Sequence, residues 1–339
     1  MMLLLHFTLI IVFCLLIWKI SDYFEEATEY LGRNMSNGVK GASLNAIGSS
    51  MPELITSFIF LFFLTGSQGY AGTIGTTAGS AVFNSLLIPA AVILVVFWYG
   101  IIRNRDEGIQ LNPKSIRRDG FFLLLSEVML ILVISGDKVT WIDGAILLVV
   151  YLVYTVVLYM QSHNEDVEYD AGSKQETTSS WVKLTLSTAA MTAVCWGLVY
   201  SVEQIGVLLD VPLIFISILL ASAASSVPDT IISIKEGLKG NYDDAVSNAL
   251  GSNIFDICVA HGLPLMIYTL MYGNITMSSE TSSASVELRI ALIIVTAISV
   301  LVYVINKGIF KRHAFIFILL YGAFMAYTIL RAMGYELPS

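Results

Sequence analysis

Apolar runs, each long enough to cross a lipid bilayer, alternate along this chain with short polar connections. A spanning helix needs about 20 apolar residues, fewer where it is broken or packed inside the protein. Ten runs qualify, at residues 1–20, 38–66, 70–99, 119–136, 141–160, 181–203, 212–236, 243–272, 286–306 and 313–333. They are long and nearly continuous, which predicts helices rather than strands. The first run has no basic flank and no small-x-small cleavage site, so it reads as a first span and not as a cleaved signal. The most polar interruption is 161–180, with Glu165, Asp166, Glu168, Asp170 and Glu176, and it reads as a flexible acidic linker. It separates a first half, 1–160, from a second, 181–339.

Composition moves the picture from helical to membranous. The 339 residues are 56% hydrophobic and only 13% charged, with a mean hydropathy of +0.77. A soluble domain is about 45–50% apolar and about 25% charged. The fold class expected is therefore an all-α polytopic membrane protein whose first partner is the lipid bilayer. A net charge of −8 is no nucleic-acid signature. Cys14, Cys195 and Cys258 lie in apolar runs, with no disulfide or metal spacing around them, and read as core residues. Placing the N-terminus outside puts every one of the 18 Lys and Arg residues except Lys138, Arg289 and Arg331 at the cytoplasmic side, including Lys40, Arg103, Arg105 and Lys307. That orientation leaves both termini outside a plasma membrane and the acidic linker in the cytoplasm. It also inverts the second half relative to the first, an arrangement typical of transporters with binding sites near the midplane at broken helices.

The repeat is visible in the residues. Gly48-Ser49-Ser50-Met51-Pro52-Glu53 matches Ala224-Ser225-Ser226-Val227-Pro228-Asp229, and Gly79-Ser80-Ala81-Val82-Phe83-Asn84 matches Gly251-Ser252-Asn253-Ile254-Phe255-Asp256. Each segment has a hydroxyl four residues before a carboxyl or amide: Ser49/Glu53, Ser80/Asn84, Ser225/Asp229 and Ser252/Asp256. On a helix these positions share a face. Oxygen donors of this mixture suit hard cations, and no imidazole or thiolate accompanies them. Pro52 and Pro228 supply no N–H to the carbonyls of Gly48 and Ala224, which are then free to join a cation site. Three acids at helix centres cost on the order of 8–10 kcal/mol on insertion scales, which favours a functional over an incidental reading. The bland readings of the single elements are a packing surface for the small-residue runs and a simple kink for a proline.

These motifs resemble the two α-repeats of the cation/Ca²⁺ exchanger superfamily, and most of all the K⁺-dependent sodium/calcium exchangers. The segments "SDYFEEATEYLG", "RRDGFFLLL" and "DKVTWIDGAILLVVYLVY" are similar to their counterparts outside the repeats. The resemblance implies ten transmembrane helices as two inverted five-helix repeats, with the α-repeats at about 38–99 and 212–272. It implies Na⁺/Ca²⁺ antiport by alternating access, with the first and sixth spans moving against the other eight. No enzyme activity, resident cofactor or particular oligomeric state follows from it. Glu53 and Asp229, with Ser50 and Ser226, would bind Ca²⁺. Ser49, Ser80, Asn84, Ser225, Ser252 and Asp256 would serve Na⁺ or K⁺, with Asn84 and Asp256 as further metal ligands. Three carboxylates leave one negative charge after one Ca²⁺, and Asp256 stands where the K⁺-dependent members resemble this chain, so K⁺ co-transport is a further expectation. The shortness of the linker implies a minimal exchanger.

Some positions depart from the family. Ala224 replaces a usual Gly and Ser225 a common Thr, while Lys40 and Asn45 stand just before the first motif. Lys40 reads as snorkelling to the interface. His261 reads as a satisfied core histidine, with a pH-sensitive modulator as the alternative. Glu127 sits inside the fourth span and is either protonated or at a helix interface. Two rival functions remain: H⁺/Ca²⁺ or other divalent-cation exchange, since carboxylates carry protons as well as Ca²⁺, and an intramembrane aspartyl protease.

Overall fold

The structure, a computed structural model, describes residues 1–34, 46–101, 108–134, 138–162, 172–306 and 308–335. Lys40, Asn45, Arg103, Arg105, Lys307 and the linker acids Glu165, Asp166, Glu168 and Asp170 lie outside the described residues. The chain is helical almost throughout: α1 (Met2–Leu31), α2 (Ala46–Ser49), α3 (Met51–Ile59), α4 (Gly66–Tyr99), α5 (Pro113–Ile134), α6 (Trp141–Ser162), α7 (Lys174–Leu209), α8 (Leu213–Ile216), α9 (Ser222–Ser225), α10 (Val227–Lys239), α11 (Tyr242–Phe255), α12 (Gly262–Tyr272), α13 (Ser279–Ile305) and α14 (Lys311–Ala332). Two short strands, β1 (Lys138–Val139) and β2 (Ile275–Thr276), pair antiparallel between the α5–α6 and α12–α13 connections. Ile109 and Ile309 form a second bridge between the α4–α5 and α13–α14 connections.

The hydropathy reading needs two corrections, both at helix ends. The first helix does not stop at residue 20 but runs to Leu31. Its polar continuation holds good helix formers, and its buried stripe goes on through Ser21, Phe24, Ala27 and Thr28. The linker is shorter than 161–180, because Gln161 and Ser162 finish α6 and Lys174 opens α7. Ser173 caps α7: its hydroxyl accepts from the Glu176 N–H, an N-cap that hydropathy does not register. Among the described residues, six helices are long and apolar enough to span a bilayer, or up to seven if the bent pair Leu213–Ser225 and Val227–Lys239 is one span, and Met51–Leu64 and Ile290–Ile305 are shorter apolar helices.

Both expected helix breaks are present. Ser50 (φ −92°, ψ 9°) separates α2 from α3, and Ser226 (φ −80°, ψ 4°) separates α9 from α10. Each proline falls in the first turn of the new helix, where its missing N–H costs nothing. At Ser226 the axis turns by 42°. Three π-helical turns, Phe60–Leu64, Ser217–Ala221 and Asp256–Ala260, interrupt the same helices. Such turns collect at functional sites.

Candidate cation site

The helix breaks bring four chain segments to one point in the interior. Glu53 lies in the first turn of α3 and Asp229 in the first turn of α10. Each carboxylate therefore meets the N-terminal, positive end of a half-helix. Ser80 and Asn84 come from the middle of α4, Ser252 from α11, and Asp256 from the start of a π turn. Two glycines of α4 make this approach possible. A Cβ on Gly79 would stand 2.7 Å from Ser222 Oγ and 2.8 Å from its Cβ, and one on Gly75 would stand 2.7 Å from Ser217 Cβ. Close helix approach through small residues is a membrane packing rule, and here it seats α4 against the broken helix of the other half.

All ten of the oxygen-bearing residues read from the sequence are fully buried: Ser49, Ser50, Glu53, Ser80, Asn84, Ser225, Ser226, Asp229, Ser252 and Asp256. One oxygen from each of Glu53, Asp229 and Asp256 lies within 4.8 Å of the others. Ser80 is the hub. Its Oγ is 2.7 Å from Asp256 Oδ2, 3.3 Å from Glu53 Oε1 and 2.9 Å from Ser226 Oγ. Ser226 Oγ is in turn 3.3 Å from Glu53 Oε1. On the Asp229 side, Ser252 Oγ donates to Oδ1 at 2.7 Å and Asn84 Nδ2 to Oδ2 at 2.9 Å. Ser49 Oγ meets Ser252 Oγ at 3.2 Å. Ser49 and Ser225 also bond back to their own helices in the same way, to the Ala46 carbonyl at 3.3 Å and the Ser222 carbonyl at 3.2 Å.

The electrostatics are unbalanced. None of the ion pairs among the described residues involves Glu53, Asp229 or Asp256. Glu53 Oε2, Asp256 Oδ1 and Asn84 Oδ1 are buried without a hydrogen-bond partner among those residues. Asp119, another fully buried acid, is the instructive contrast. It accepts from Arg118 Nε at 2.6 Å, Arg118 Nη2 at 3.0 Å, Tyr154 OH at 3.1 Å and Ser247 Oγ at 3.0 Å. A buried charge has to be paired or to coordinate a metal. Asp119 is paired; of the three clustered acids, Glu53 and Asp256 each have an oxygen left over, and among the described residues none of the three meets a cationic side chain. Carboxylate, amide and hydroxyl oxygens in this number fit a hard cation.

The residues outside the motifs fall into place separately. His261, fully buried, has Nε2 3.1 Å from Tyr70 OH and Nδ1 3.3 Å from Thr77 Oγ1. Thr77 already donates to the Thr73 carbonyl at 2.9 Å. Both ring nitrogens of His261 thus meet hydroxyl partners in the core. Glu127 Oε1 accepts from Thr296 across the α5–α13 interface. Cys195 and Cys258 are buried and Cys14 is half-buried, all three as free thiols. The motif reading missed Ser57, Ser233 and Asn248, which are also fully buried. The same four-residue spacing finds them: Ser57 follows Glu53, Ser233 follows Asp229, and Asn248 precedes Ser252, by one turn each.

Comparison with known proteins identifies the family. A family model described as sodium/calcium exchanger protein matches residues 5–160 and 179–330. Sodium/potassium/calcium exchanger 3 of Mus musculus is 35% identical over 139 residues, 40% of this chain but only 20% of that protein's length. An uncharacterized membrane protein of Methanocaldococcus jannaschii is 26% identical over 271 residues, 78% of this chain and 82% of its own. Among solved structures, the sodium-calcium exchanger NCX_Mj superposes with a TM-score of 0.65 at 21% identity, covering 96% of this chain and 99% of the other. That likeness fixes the fold.

Proposed function

Because the chain belongs to the sodium/calcium exchanger family, we propose that it is a secondary active antiporter that moves Ca²⁺ against Na⁺ by alternating access. The observation that carries the reading is the cluster of three buried acids, contributed by both broken helices and by the π turn that follows α11, with an oxygen of Glu53 and one of Asp256 lacking a hydrogen-bond partner among the described residues. Glu53, Asp229, Ser50 and Ser226 hold Ca²⁺ in this reading. Ser49, Ser80, Asn84, Ser225, Ser252 and Asp256 hold Na⁺ when Ca²⁺ has left, and the carbonyls freed by Pro52 and Pro228 add backbone oxygens. One Ca²⁺ offsets two of three negative charges, so a monovalent cation, Na⁺ or K⁺, can balance the third. Ions that compete for the same carboxylates cannot all be bound at once, which couples the two fluxes. The two halves, 1–160 and 181–339, act as inverted repeats around the site. Both termini face outward across the plasma membrane, and the linker between the halves is cytoplasmic. The family takes the place of the protease reading: the relatives are named as exchangers.

The test is Ca²⁺ uptake by purified protein in liposomes under an imposed Na⁺ gradient, with Glu53→Gln as control. Uptake by the native chain and its loss by about fiftyfold or more in the variant are expected; full uptake by the variant overturns the site. Replacing the Na⁺ gradient by a pH gradient separates Na⁺ from H⁺ as the counter-ion.

A further inference from the structure

On α10 the oxygen-bearing face runs from the acid site to the end of the helix, whereas on α3 it goes no further than Ser57. Seven residues after Asp229, on the same face of α10, stands Glu236, which meets Lys239 Nζ at 2.6 Å and Asn241 Nδ2 at 2.8 Å beside the exposed Gly240 turn. Seven residues after Glu53 stands Phe60, fully buried and apolar. Between Asp229 and Glu236 lies Ser233, about 6 Å along the helix from Asp229. Asn248 of α11 faces it. Its Nδ2 is 3.0 Å from Ser233 Oγ and 3.4 Å from the Asp229 carbonyl oxygen. Its Oδ1 is buried without a hydrogen-bond partner among the described residues.

The amide now has its donor end against two oxygens and its acceptor end against nothing. Turning it over about its last torsion would bring Oδ1 together with Ser233 Oγ and the Asp229 carbonyl. Of these three oxygens only Ser233 Oγ carries a proton to donate, so Oδ1 and the Asp229 carbonyl stay opposed unless a cation sits among them. With no cation, the amide N–H closes the gap; with one, the oxygen coordinates it.

We propose that Asn248, Ser233 and the Asp229 carbonyl form a transfer station for a partly dehydrated hard cation on its way between the acid site and the α10–α11 turn, with the Asn248 amide as its switch. The station rests on the antiport reading and adds a route to it. Asn248 is a positioning group for the acid site and a ligand only in transit, so its loss affects rate more than equilibrium binding.

The experiment compares native protein with Asn248→Ala and Ser233→Ala. In liposomes, Na⁺-driven Ca²⁺ uptake should slow about tenfold in each variant. In detergent, equilibrium Ca²⁺ binding should stay within about twofold and thermal stability should be preserved. An unchanged rate, or a Ca²⁺ affinity that falls in step with the rate, overturns the station. A second measurement stands if either alanine variant fails to fold. Ser233→Cys in a Cys14→Ser background is treated with a cationic methanethiosulfonate, and labelling of the introduced thiol should be slowed at least about fivefold by Ca²⁺. Absence of labelling, or labelling indifferent to Ca²⁺, also overturns it. Absence of Na⁺-driven uptake by the native chain would instead overturn the antiport reading, while Ca²⁺ protection of the introduced thiol would still report the station.

Discussion

In the proposed antiport, Asp256 is the residue on which ion choice turns. Its Oδ2 is engaged by Ser80 at 2.7 Å, while its Oδ1 is left open. Glu53 and Asp229 already match the charge of one Ca²⁺, so Asp256 supplies the surplus that a monovalent ion would offset. Asp256→Asn should therefore retain Ca²⁺ uptake within about tenfold and lose any stimulation by K⁺ that the native protein shows. The measurement is Na⁺-driven uptake with and without K⁺ on both proteins. Equal native flux under the two conditions removes K⁺ from the cycle and leaves the third charge to Na⁺. Asp119 shows why such an effect belongs to Asp256 alone of these two acids: its oxygens are already taken by Arg118, Tyr154 and Ser247.

At the scale of elements, α4 is the part that the site depends on. Its glycines admit the neighbouring broken helix, and the same helix carries Ser80 and Asn84 just beyond them. Gly79→Val would press its Cβ onto Ser222 and to within 3.0 Å of Ile218 Cα, a backbone atom with little room to yield. Overpacking of this kind costs about 1–3 kcal/mol. It would also push Ser80 away from Ser226, now 2.9 Å from it. A lower thermal midpoint and weaker Ca²⁺ binding are expected together, by calorimetry and equilibrium binding. Gly322→Ala in α14, where a Cβ would meet nothing within 4 Å, is the control and should be neutral or slightly stabilising. Equal behaviour of the two variants would mean that the close approach of α4 is dispensable.

Across the whole molecule, the apolar interior falls into two clusters. The larger joins α4, α5, α6, α11, α12, α13 and α14. The smaller joins α1 and α7 to the outer face of the broken helices, through Ile10, Ile17, Met191, Leu198, Ile55 and Ala224. α1 packs chiefly on α7, and the pair meets the broken helices largely through apolar side chains; in the proposed antiport it moves along this surface. An ion-pair restraint crosses that surface: Lys235 Nζ of α10 lies 3.1 Å from both Asp22 Oδ1 and Glu25 Oε2 of α1. Half-exposed pairs contribute up to about 1 kcal/mol, and a tenfold rate change needs about 1.4 kcal/mol. Lys235→Gln should thus change the initial exchange rate by about two- to fivefold with little change in thermal stability. An unaltered rate would show that this contact does not hold the α1–α7 pair.

Much of this was open to a reader of the sequence. Membrane helices declare themselves by hydropathy, because every backbone polar group in lipid has to be satisfied within its own segment. The site residues declare themselves by the repeated four-residue spacing, because i and i+4 share a helix face whatever surrounds the helix. Even Ser233 and Asn248 obey that spacing, although no motif marks them. The tertiary structure decided what local rules cannot reach. Ser80 bonds to Asp256 of the other half as well as to Glu53, and Asn84 bonds to Asp229. Glu53 and Asp256 keep spare oxygens for a cation, while those of Asp119 are filled. These partners come from other helices, at separations that depend on two glycines and three π turns. A π turn shifts the helical register without altering hydropathy. The continuation of α1 to Leu31 was likewise outside hydropathy's reach: its polar residues are good helix formers, and Asp22, Glu25 and Glu26 meet lysines of α7 and α10, far away in the chain.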